Sequence, residues 1–342
     1  MDGKPIESKL TNLKAYNSKV KTPPQNWLIT GGAGYIGSHI ADELIQNGFN
    51  VVIYDSLHGG LESRIDYLRA KHALEIPLVV ADIRDKGKFE EILKRYGVSG
   101  IIHAAALKSV DESIKKPNEY MEVNYYATIS ILEIAKRMRV KSFIFCSSAA
   151  VYGNPEIAGL IKETDKTNPI SPYGETKLLA EQALETFFDK STTNGTSIRF
   201  FNVIGTSSPE LIDNSKANLV PIVIDKLRNK QQPIIYGRDY PTIDGTCVRD
   251  YVDVRDIASA IFKATQYGKK LPRVINIGAG REVSVLEVVS TAIEIQNSAT
   301  SPIFSERRPG DPANLCADIS LSREILNFAP KYSLFQSITS QM

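Results

Sequence analysis

The sequence feature that most constrains the fold of this chain is a glycine-rich turn at residues 31–37. The apolar run 27–30 predicts a strand before the turn, 38–47 predicts a helix after it, and 49–54 predicts a second strand followed by Asp55. A strand, a glycine turn, a helix and a strand within about thirty residues are typical of a dinucleotide-binding unit. The glycines permit a tight turn that a pyrophosphate can approach, and the free N–H groups of the helix start can face its phosphates.

Asp55 indicates which dinucleotide would bind. A carboxylate at the end of the second strand can accept hydrogen bonds from both hydroxyls of an adenosine ribose. It would also repel a 2′-phosphate, and no arginine directly follows it, so the sequence favours NAD over NADP. The turn and the helix start supply the other contacts predicted at this end of the cofactor, which are Gly31, Gly34, Tyr35, Ile36 and Gly37.

The same alternation of strands and helices continues along the chain. Apolar strands are predicted at 77–80, 100–104 and 142–147, with helices at 86–96 and 117–139 between them. This order predicts the α/β class, with a doubly wound parallel sheet (Rossmann fold) covered by helices on both faces. Ligands of such a sheet bind at the carboxyl ends of its strands. Polar and small residues stand at those ends, namely Asp82, Ile83, Ala104, Ala105, Lys108 and Ser148.

The alternation loosens in the second half of the chain, which indicates a second and smaller region. We predict an N-terminal extension over 1–25 and an NAD-binding domain over 26–202. A returning segment, 250–280, is assigned to that domain because it contains a further apolar strand. The residues 203–249 and 281–342 are predicted to form a C-terminal substrate-binding domain.

A tyrosine and a lysine four residues apart form a second chemical pattern. Tyr173 and Lys177 lie in a predicted helix, so this spacing places them on one face. An ammonium close to a phenol favours the phenolate, and we therefore predict that Lys177 lowers the pKa of Tyr173. A tyrosine of this kind can transfer protons near neutral pH. The same spacing is also common on solvated helix faces, so the pattern depends on its context.

Composition excludes several other classes of protein. The formal net charge of +2 and the absence of a basic run give no basis for a nucleic-acid partner. No apolar run is long enough for a bilayer, and the first residues lack the apolar centre of a signal peptide, so we expect a cytoplasmic protein and no membrane partner. Three distant cysteines fit reduced thiols, and four scattered histidines give no metal-ligand spacing, so no metal is expected.

Taken together, five motifs resemble one family. They are residues 31–37, Ser147–Gly153 (SSAAVYG), Ser171–Lys177 (SPYGETK), Arg199–Asn202 (RFFN) and Tyr240–Tyr251 (YPTIDGTCVRDY). The sequence resembles the extended short-chain dehydrogenase/reductases, and within them the UDP-glucose 4-epimerases and related sugar-nucleotide 4-epimerases. The likeness extends over about residues 26–318, and the last motif is nearly diagnostic of the epimerase group.

The resemblance implies a reaction and a role for three residues. Tyr173 would take the proton from the sugar 4-hydroxyl, Ser148 would hydrogen-bond the same oxygen, and Lys177 would bind the nicotinamide ribose. Hydride would pass from sugar C4 to tightly held NAD. The 4-keto sugar would then turn about its diphosphate linkage and take the hydride back on its other face. The implied reaction is the interconversion of UDP-glucose and UDP-galactose.

The resemblance also implies the binding residues. Three positions match family residues near the nicotinamide: Lys108, Asn124 and Phe201. A larger set matches the UDP-sugar site: Lys108, Ser148, Asn202, Asn218, Tyr236, Arg249, Arg308, Asp311 and Leu315. Two arginines in this set suit a diphosphate, because guanidinium groups pair bidentately with phosphate oxygens. A homodimer formed through the helices near 117–139 and 171–188 is a further family expectation.

Alternative functions differ at particular residues. Sugar-nucleotide dehydratases need an acid pair after the active-site hydroxyl, and this chain has Ala149 and Ala150 there; related decarboxylases carry a glutamate at the second position. In the family that the sequence resembles, a tyrosine at the position of Leu315 favours plain hexoses and a small residue admits N-acetyl sugars. A leucine is intermediate in size between the two. The UDP-N-acetylglucosamine/UDP-N-acetylgalactosamine pair, or another NDP-sugar, therefore stays open. A non-catalytic NAD-binding regulatory protein is the more distant alternative.

Overall fold

Seven parallel strands form the central sheet of the computed structural model, which describes residues 25–155, 159–189, 191–308 and 310–342. All but the last residue of the predicted extension 1–25 lies outside this part of the chain. The strands in chain order are β1 (Asn26–Thr30), β2 (Asn50–Asp55), β3 (Leu78–Val80), β4 (Gly100–His103), β5 (Ser142–Ser148), β6 (Leu160–Ile161), β7 (Asn194–Phe200), β8 (Asn202–Ile204), β9 (Ile234–Tyr236), β10 (Val248–Arg249), β11 (Tyr251–Asp253), β12 (Val274–Ile277), β13 (Val283–Ser284), β14 (Ile303–Ser305) and β15 (Asn314–Ala317).

The helices in chain order are α1 (Tyr35–Gln46), α2 (Glu62–His72), α3 (Lys86–Tyr96), α4 (Val110–Lys115), α5 (Pro117–Tyr120), α6 (Ala127–Arg137), α7 (Pro172–Phe188), α8 (Leu219–Arg228), α9 (Val254–Gln266), α10 (Val285–Ile295), α11 (Ser320–Leu326) and α12 (Leu334–Ser340). A π-helical turn, Met121–Tyr126, joins α5 to α6. Short 3₁₀ turns occur at Ala149–Val151 and Pro209–Leu211.

The strand order of the large sheet is β12-β7-β5-β4-β1-β2-β3, with every neighbouring pair parallel. Successive side chains of a strand point to opposite faces. Ile29 of β1 accordingly packs in a core with α1, α2 and α9, and Leu28 packs in a second core with α3, α6 and α7. The prediction of a doubly wound parallel sheet covered on both faces is confirmed.

Local details differ from the sequence prediction. Helix α1 begins at Tyr35 rather than at residue 38, because the extended Gly34 already serves as its N-cap. Helix α2 was not predicted, since its sequence lacks a clear apolar stripe and few of its side chains are buried. The helix predicted over 117–139 contains the π-helical turn, a feature that often occurs at functional sites.

The described residues also form three small sheets, which combine strands of the second region with β6 and β11 of the first. One has the order β13-β10-β15-β6, and the pairs β8 with β11 and β9 with β14 form the other two. A separate apolar core lies among α8, α10 and α12. Three residues of 281–342, namely Ile319, Leu326 and Phe328, pack into the core beside α9 and β12. The division of the chain into two domains stays a prediction.

Within the described ranges, no helix is both long and apolar enough to cross a membrane, and no group of three His, Cys, Asp or Glu side chains could hold a metal ion. The three cysteines, Cys146, Cys247 and Cys316, are buried and unpaired. Their free state agrees with the prediction of reduced thiols.

Candidate active site

A cavity of about 1600 Å³ lies at the carboxyl ends of the central strands and extends to the second region. Almost every predicted site residue lines it. The lining includes Gly31, Gly34, Tyr35, Ile36, Gly37, Asp55, Asp82, Ile83, Ala104, Ala105, Lys108, Ser148, Tyr173, Lys177, Phe201, Asn202, Asn218, Tyr236, Arg249, Arg308, Asp311 and Leu315. The exception is Asn124, which is buried behind the wall.

The glycine turn requires glycine at two of its positions. Gly31 has φ +68°, and a Cβ there would lie 2.7 Å from the backbone nitrogen of Ala105. A Cβ on Gly37 would lie 2.2 Å from the carbonyl oxygen of Gly31. Gly34 caps α1 without a side-chain hydrogen bond, so the first-turn N–H groups have no competing side-chain acceptor there. This part of the wall fits a dinucleotide pyrophosphate.

Asp55 lies beside the turn and is nearly buried. Its carboxylate accepts hydrogen bonds from the backbone N–H groups of Ala33, at 3.0 Å, and Leu57, at 2.8 Å. Burial raises the pKa of Asp55, and these two hydrogen bonds oppose the change. The carboxylate is thus oriented by the backbone and retains lone pairs for the hydroxyls of a ribose.

Asp82 has a partner that the sequence analysis missed. Its carboxylate receives the Arg84 guanidinium at 2.6 Å and the Arg84 backbone N–H at 2.8 Å. These contacts hold the pKa of Asp82 below its usual value, and the side-chain hydrogen bond is the largest cause. Asp82 therefore stays ionised at the edge of the cavity.

The predicted catalytic residues meet at the start of α7 and the end of β5. The side chains of Ser148 and Tyr173 both line the cavity there. Lys177, one turn along α7, lies over the Tyr173 ring at 5.9 Å from its centroid and donates to the Cys146 carbonyl at 2.8 Å. The 3₁₀ turn after β5 is fixed by the hydrogen bond from Ala150 N–H to Ser148 Oγ, at 3.2 Å.

The pKa of Tyr173 lies above its ordinary value in the structure, whereas the spacing from Lys177 predicts a lower one. Burial raises the pKa of Tyr173, and the nearby Ser148 side chain opposes this change. Burial also lowers the pKa of Lys177 to about 8. Desolvation disfavours the charged form of both side chains, and helical spacing contains no information about it. A positive charge on a bound nicotinamide ring would favour the phenolate.

A buried network behind the cavity was also missed. Asn124, in the π-helical turn, accepts from the Leu107 N–H at 2.8 Å and donates to the Leu107 carbonyl at 2.9 Å. Thr128 donates to the Asn124 carbonyl and contacts His103, whose other ring nitrogen is 2.6 Å from Thr30 Oγ1. The Asn124 side chain thus holds the backbone of the loop after β4 at Leu107. Any direct contact with a nicotinamide stays a prediction.

His103 gives a prediction for the pH dependence of stability. Burial, with a smaller effect of Lys177, lowers its pKa from 6.5 to about 3. The unfolded chain therefore binds a proton below about pH 6.5, whereas the folded chain binds it only near pH 3. The free energy of unfolding should consequently fall as the pH is lowered from about 6.5 to about 3. Urea unfolding at several pH values should show a shallower fall in His103→Gln. An unchanged slope would contradict the assignment, and His58→Gln at an exposed position is the control.

The second region supplies the other wall of the cavity. Arg249 on β10 is almost buried and donates to the Pro312 carbonyl at 2.7 Å and to the Asp311 carboxylate at 3.4 Å. Arg308 lies over the Tyr236 ring, 4.1 Å from its centroid. Both cations line the cavity, Arg249 from β10 and Arg308 from the segment after β14. The arrangement suits an anionic ligand such as a diphosphate.

Two further predicted residues complete this wall. Asn218 precedes α8, and its side chain donates to the Asp213 carboxylate at 2.6 Å instead of capping the helix. Leu315 on β15 pairs in register with Arg249 and is 9% exposed. Its position beside Arg249 results from a parallel strand pairing that joins residues far apart in sequence.

A doubly wound sheet with a glycine turn, a carboxylate at the end of the second strand and a Ser–Tyr–Lys set is typical of an NAD-dependent enzyme of the short-chain type. The comparison with family models agrees, because residues 27–278 match the family described as "NAD dependent epimerase/dehydratase family". The chain belongs to this family, and its relatives place it among the UDP-glucose 4-epimerases. The family resemblance deduced from the motifs is confirmed, and NAD is the cofactor.

Several relatives are similar over nearly their full length. A UDP-glucose 4-epimerase of Rhizobium leguminosarum bv. trifolii is 33% identical over 92% of this chain and 95% of the relative. The structure of UDP-glucose 4-epimerase from Stenotrophomonas maltophila, solved with NAD and formylated UDP-arabinopyranose, is 34% identical, with a TM-score of 0.88 and coverage of 93% and 96%. The UDP-Glc/GlcNAc 4-epimerase of Campylobacter jejuni is 31% identical, with a TM-score of 0.82 and coverage of 93% and 98%.

Proposed function

We propose that the protein interconverts UDP-glucose and UDP-galactose by 4-epimerisation with bound NAD. The observation that carries the proposal is that Ser148, Tyr173 and Lys177 line the same cavity as Arg249, with the Lys177 ammonium 5.9 Å from the centroid of the Tyr173 ring. This arrangement combines a proton-transfer group with a cation for the diphosphate. The absence of an acid at Ala149 and Ala150 supports epimerisation over dehydration.

The proposed roles follow from the contacts. Tyr173 takes the proton of the sugar 4-hydroxyl, while the Ser148 hydroxyl hydrogen-bonds the same oxygen. One donor of the Lys177 ammonium is held by the Cys146 carbonyl, which leaves donors for the hydroxyls of a ribose. Bound NAD supplies the reversible hydride acceptor. Arg249 and Arg308 hold the diphosphate as the 4-keto sugar turns between the two hydride transfers.

Product chromatography tests the reaction directly. Purified protein loaded with NAD should convert UDP-galactose to UDP-glucose, and the reverse reaction should approach the same equilibrium mixture. Protein that retains NAD but forms no UDP-glucose would contradict the proposal. Tight NAD without conversion of any sugar nucleotide in a panel would instead favour the regulatory alternative.

The choice of sugar depends on Leu315. Its side chain lines the cavity next to Arg249, and a leucine leaves more room than a tyrosine but less than a small residue. Activity on the UDP-N-acetylhexosamines is therefore a second candidate. It is also supported by the similarity to the relative described as a UDP-Glc/GlcNAc epimerase. A panel with both substrate pairs distinguishes the candidates, because an enzyme for plain hexoses converts only the first pair and a dual-specificity enzyme converts both.

We further propose that two copies associate through α6 and α7, which pack beside each other. Tyr126, at the end of the π-helical turn before α6, is 52% exposed. A dimer over this surface would cover it. Light scattering should give twice the mass of one chain, and a monomer mass at working concentration would contradict the proposal.

The three free thiols support a cytoplasmic location.

We also propose that the chain uses residues 26–202 and 250–280 to bind NAD and the remaining C-terminal segments to bind the sugar nucleotide. The pairing of β12 with β7 supports the first assignment, and Arg249 at the end of 203–249 supports the second.

A further inference from the structure

Arg64 is a buried arginine that none of the roles above uses. It lies in the first turn of α2 and is 3% exposed, although an arginine in a short surface helix normally keeps its guanidinium in water. One of its terminal nitrogens donates to the Ala33 carbonyl at 3.2 Å, and the other donates to the Ile212 carbonyl at 2.7 Å. The guanidinium therefore connects the glycine turn to a segment of the second region.

The segment that Arg64 contacts leads directly to the substrate side of the cavity. Asp213, next to Ile212, accepts from the Asn218 side chain at 2.6 Å and from the Ser215 N–H at 3.0 Å. Asp213 also stabilises the charge of Arg64 electrostatically. Arg64 thus ties the segment 212–218 to the glycine turn. Within the segment, the Asp213 carboxylate links Ser215 and Asn218.

We propose that Arg64 is a positioning residue for the sugar nucleotide. It fixes Ile212 and Asp213 against the glycine turn, and Asp213 in turn fixes the side chain of Asn218 at the start of α8. Both Arg64 and Asn218 line the cavity. The inference rests on the proposed function in one respect, because it takes a uridine nucleotide as the ligand beside Asn218.

A positioning role predicts a particular change in binding. Without the guanidinium, the segment 212–218 loses its bond to the glycine turn, and ordering it becomes part of the cost of binding the nucleotide. NAD-loaded Arg64→Met should therefore bind UDP about tenfold more weakly, a change typical of one lost hydrogen bond. KM for the UDP-sugar should rise by a similar factor. The kcat of the NAD-loaded variant should stay near wild type, because the Ser148, Tyr173 and Lys177 set does not contact Arg64. NAD content is determined for each variant, because Arg64 also bonds to the glycine turn.

The experiment is titration calorimetry of UDP into NAD-loaded wild type, Arg64→Met, Asn218→Ala and the double variant. The two substitutions remove parts of one linkage, so the double variant should be little weaker than Asn218→Ala alone. Arg69→Met is the matched control: Arg69 is also on α2 and binds a backbone carbonyl, that of Ile76, away from the cavity. Its UDP affinity should equal that of wild type.

The outcomes separate this inference from the proposed function. Wild-type UDP affinity in Arg64→Met, or additive losses in the double variant, would overturn the positioning role alone. Protein that binds UDP but does not epimerise it would overturn the proposed reaction and leave the Arg64 measurement valid; wild type that binds no UDP would overturn both. If Arg64→Met does not fold, Arg64→Lys keeps the charge but loses one hydrogen bond. A folded Arg64→Lys with unchanged UDP affinity would likewise overturn the inference.

Discussion

Tyr173→Phe should lower kcat by about a thousandfold while the protein stays folded and loaded with NAD, since general acid–base catalysis contributes effects of this size. The substitution removes the hydroxyl and leaves the ring beneath the Lys177 ammonium. Because the ring keeps its place on α7, KM for the UDP-sugar should change little. Steady-state kinetics with product chromatography measure kcat and KM. The NAD released from denatured protein measures the cofactor content.

Tyr152→Phe is the control for removing a buried tyrosine hydroxyl from the same neighbourhood. The Tyr152 hydroxyl donates to Asn276 at 2.7 Å, behind the cavity wall, so its loss should lower the free energy of unfolding and leave kcat within a few-fold of wild type. Turnover by Tyr173→Phe close to that of wild type would contradict the assignment of Tyr173 as the base. Equal losses in the two variants would indicate a structural rather than a chemical effect.

Much of the fold and the cofactor end of the site could be predicted from the sequence, because those features are local. The glycine turn needs its residues for steric reasons that hold in any such strand–turn–helix unit, as the contacts of Gly31 and Gly37 illustrate. Asp55 follows the next strand directly. Parallel strands bring such positions to one edge of the sheet, so residues near their carboxyl ends could be assigned to one cavity.

The parts that could not be predicted depend on burial and on contacts between distant residues. The sign of the pKa shift of Tyr173 differs from the prediction, because helical spacing contains no information about desolvation. His103 and Thr128 form a buried pair only because β4 ends beside the π-helical turn. Arg64 belongs to a helix with no clear periodicity, and its partner carbonyl is 148 residues away. No local pattern could indicate either network.

Arg249→Met should raise KM for the UDP-sugar about a hundredfold, which corresponds to losing about 2.7 kcal/mol of binding free energy from charge-assisted hydrogen bonds. The physical reason has two parts. The guanidinium supplies positive charge for a diphosphate, and its bonds to Pro312 and Asp311 hold the neighbouring segment in place. Methionine replaces the aliphatic part of the arginine side chain, so much of the packing beside Leu315 should be retained. Titration of UDP and the KM of the purified variant measure the effect.

Arg307→Met is the matched control, because Arg307 is also an arginine of the second region but does not line the cavity. It lies over the Tyr240 ring, 4.1 Å from its centroid, and pairs with Asp239 at 2.7 Å, with 43% of its side chain exposed. Its removal should change KM by less than about twofold, since exposed ion pairs contribute little. A hundredfold effect confined to Arg249→Met assigns that residue to the diphosphate. A KM for Arg249→Met equal to that of Arg307→Met would contradict the assignment and would leave Arg308 to carry the charge.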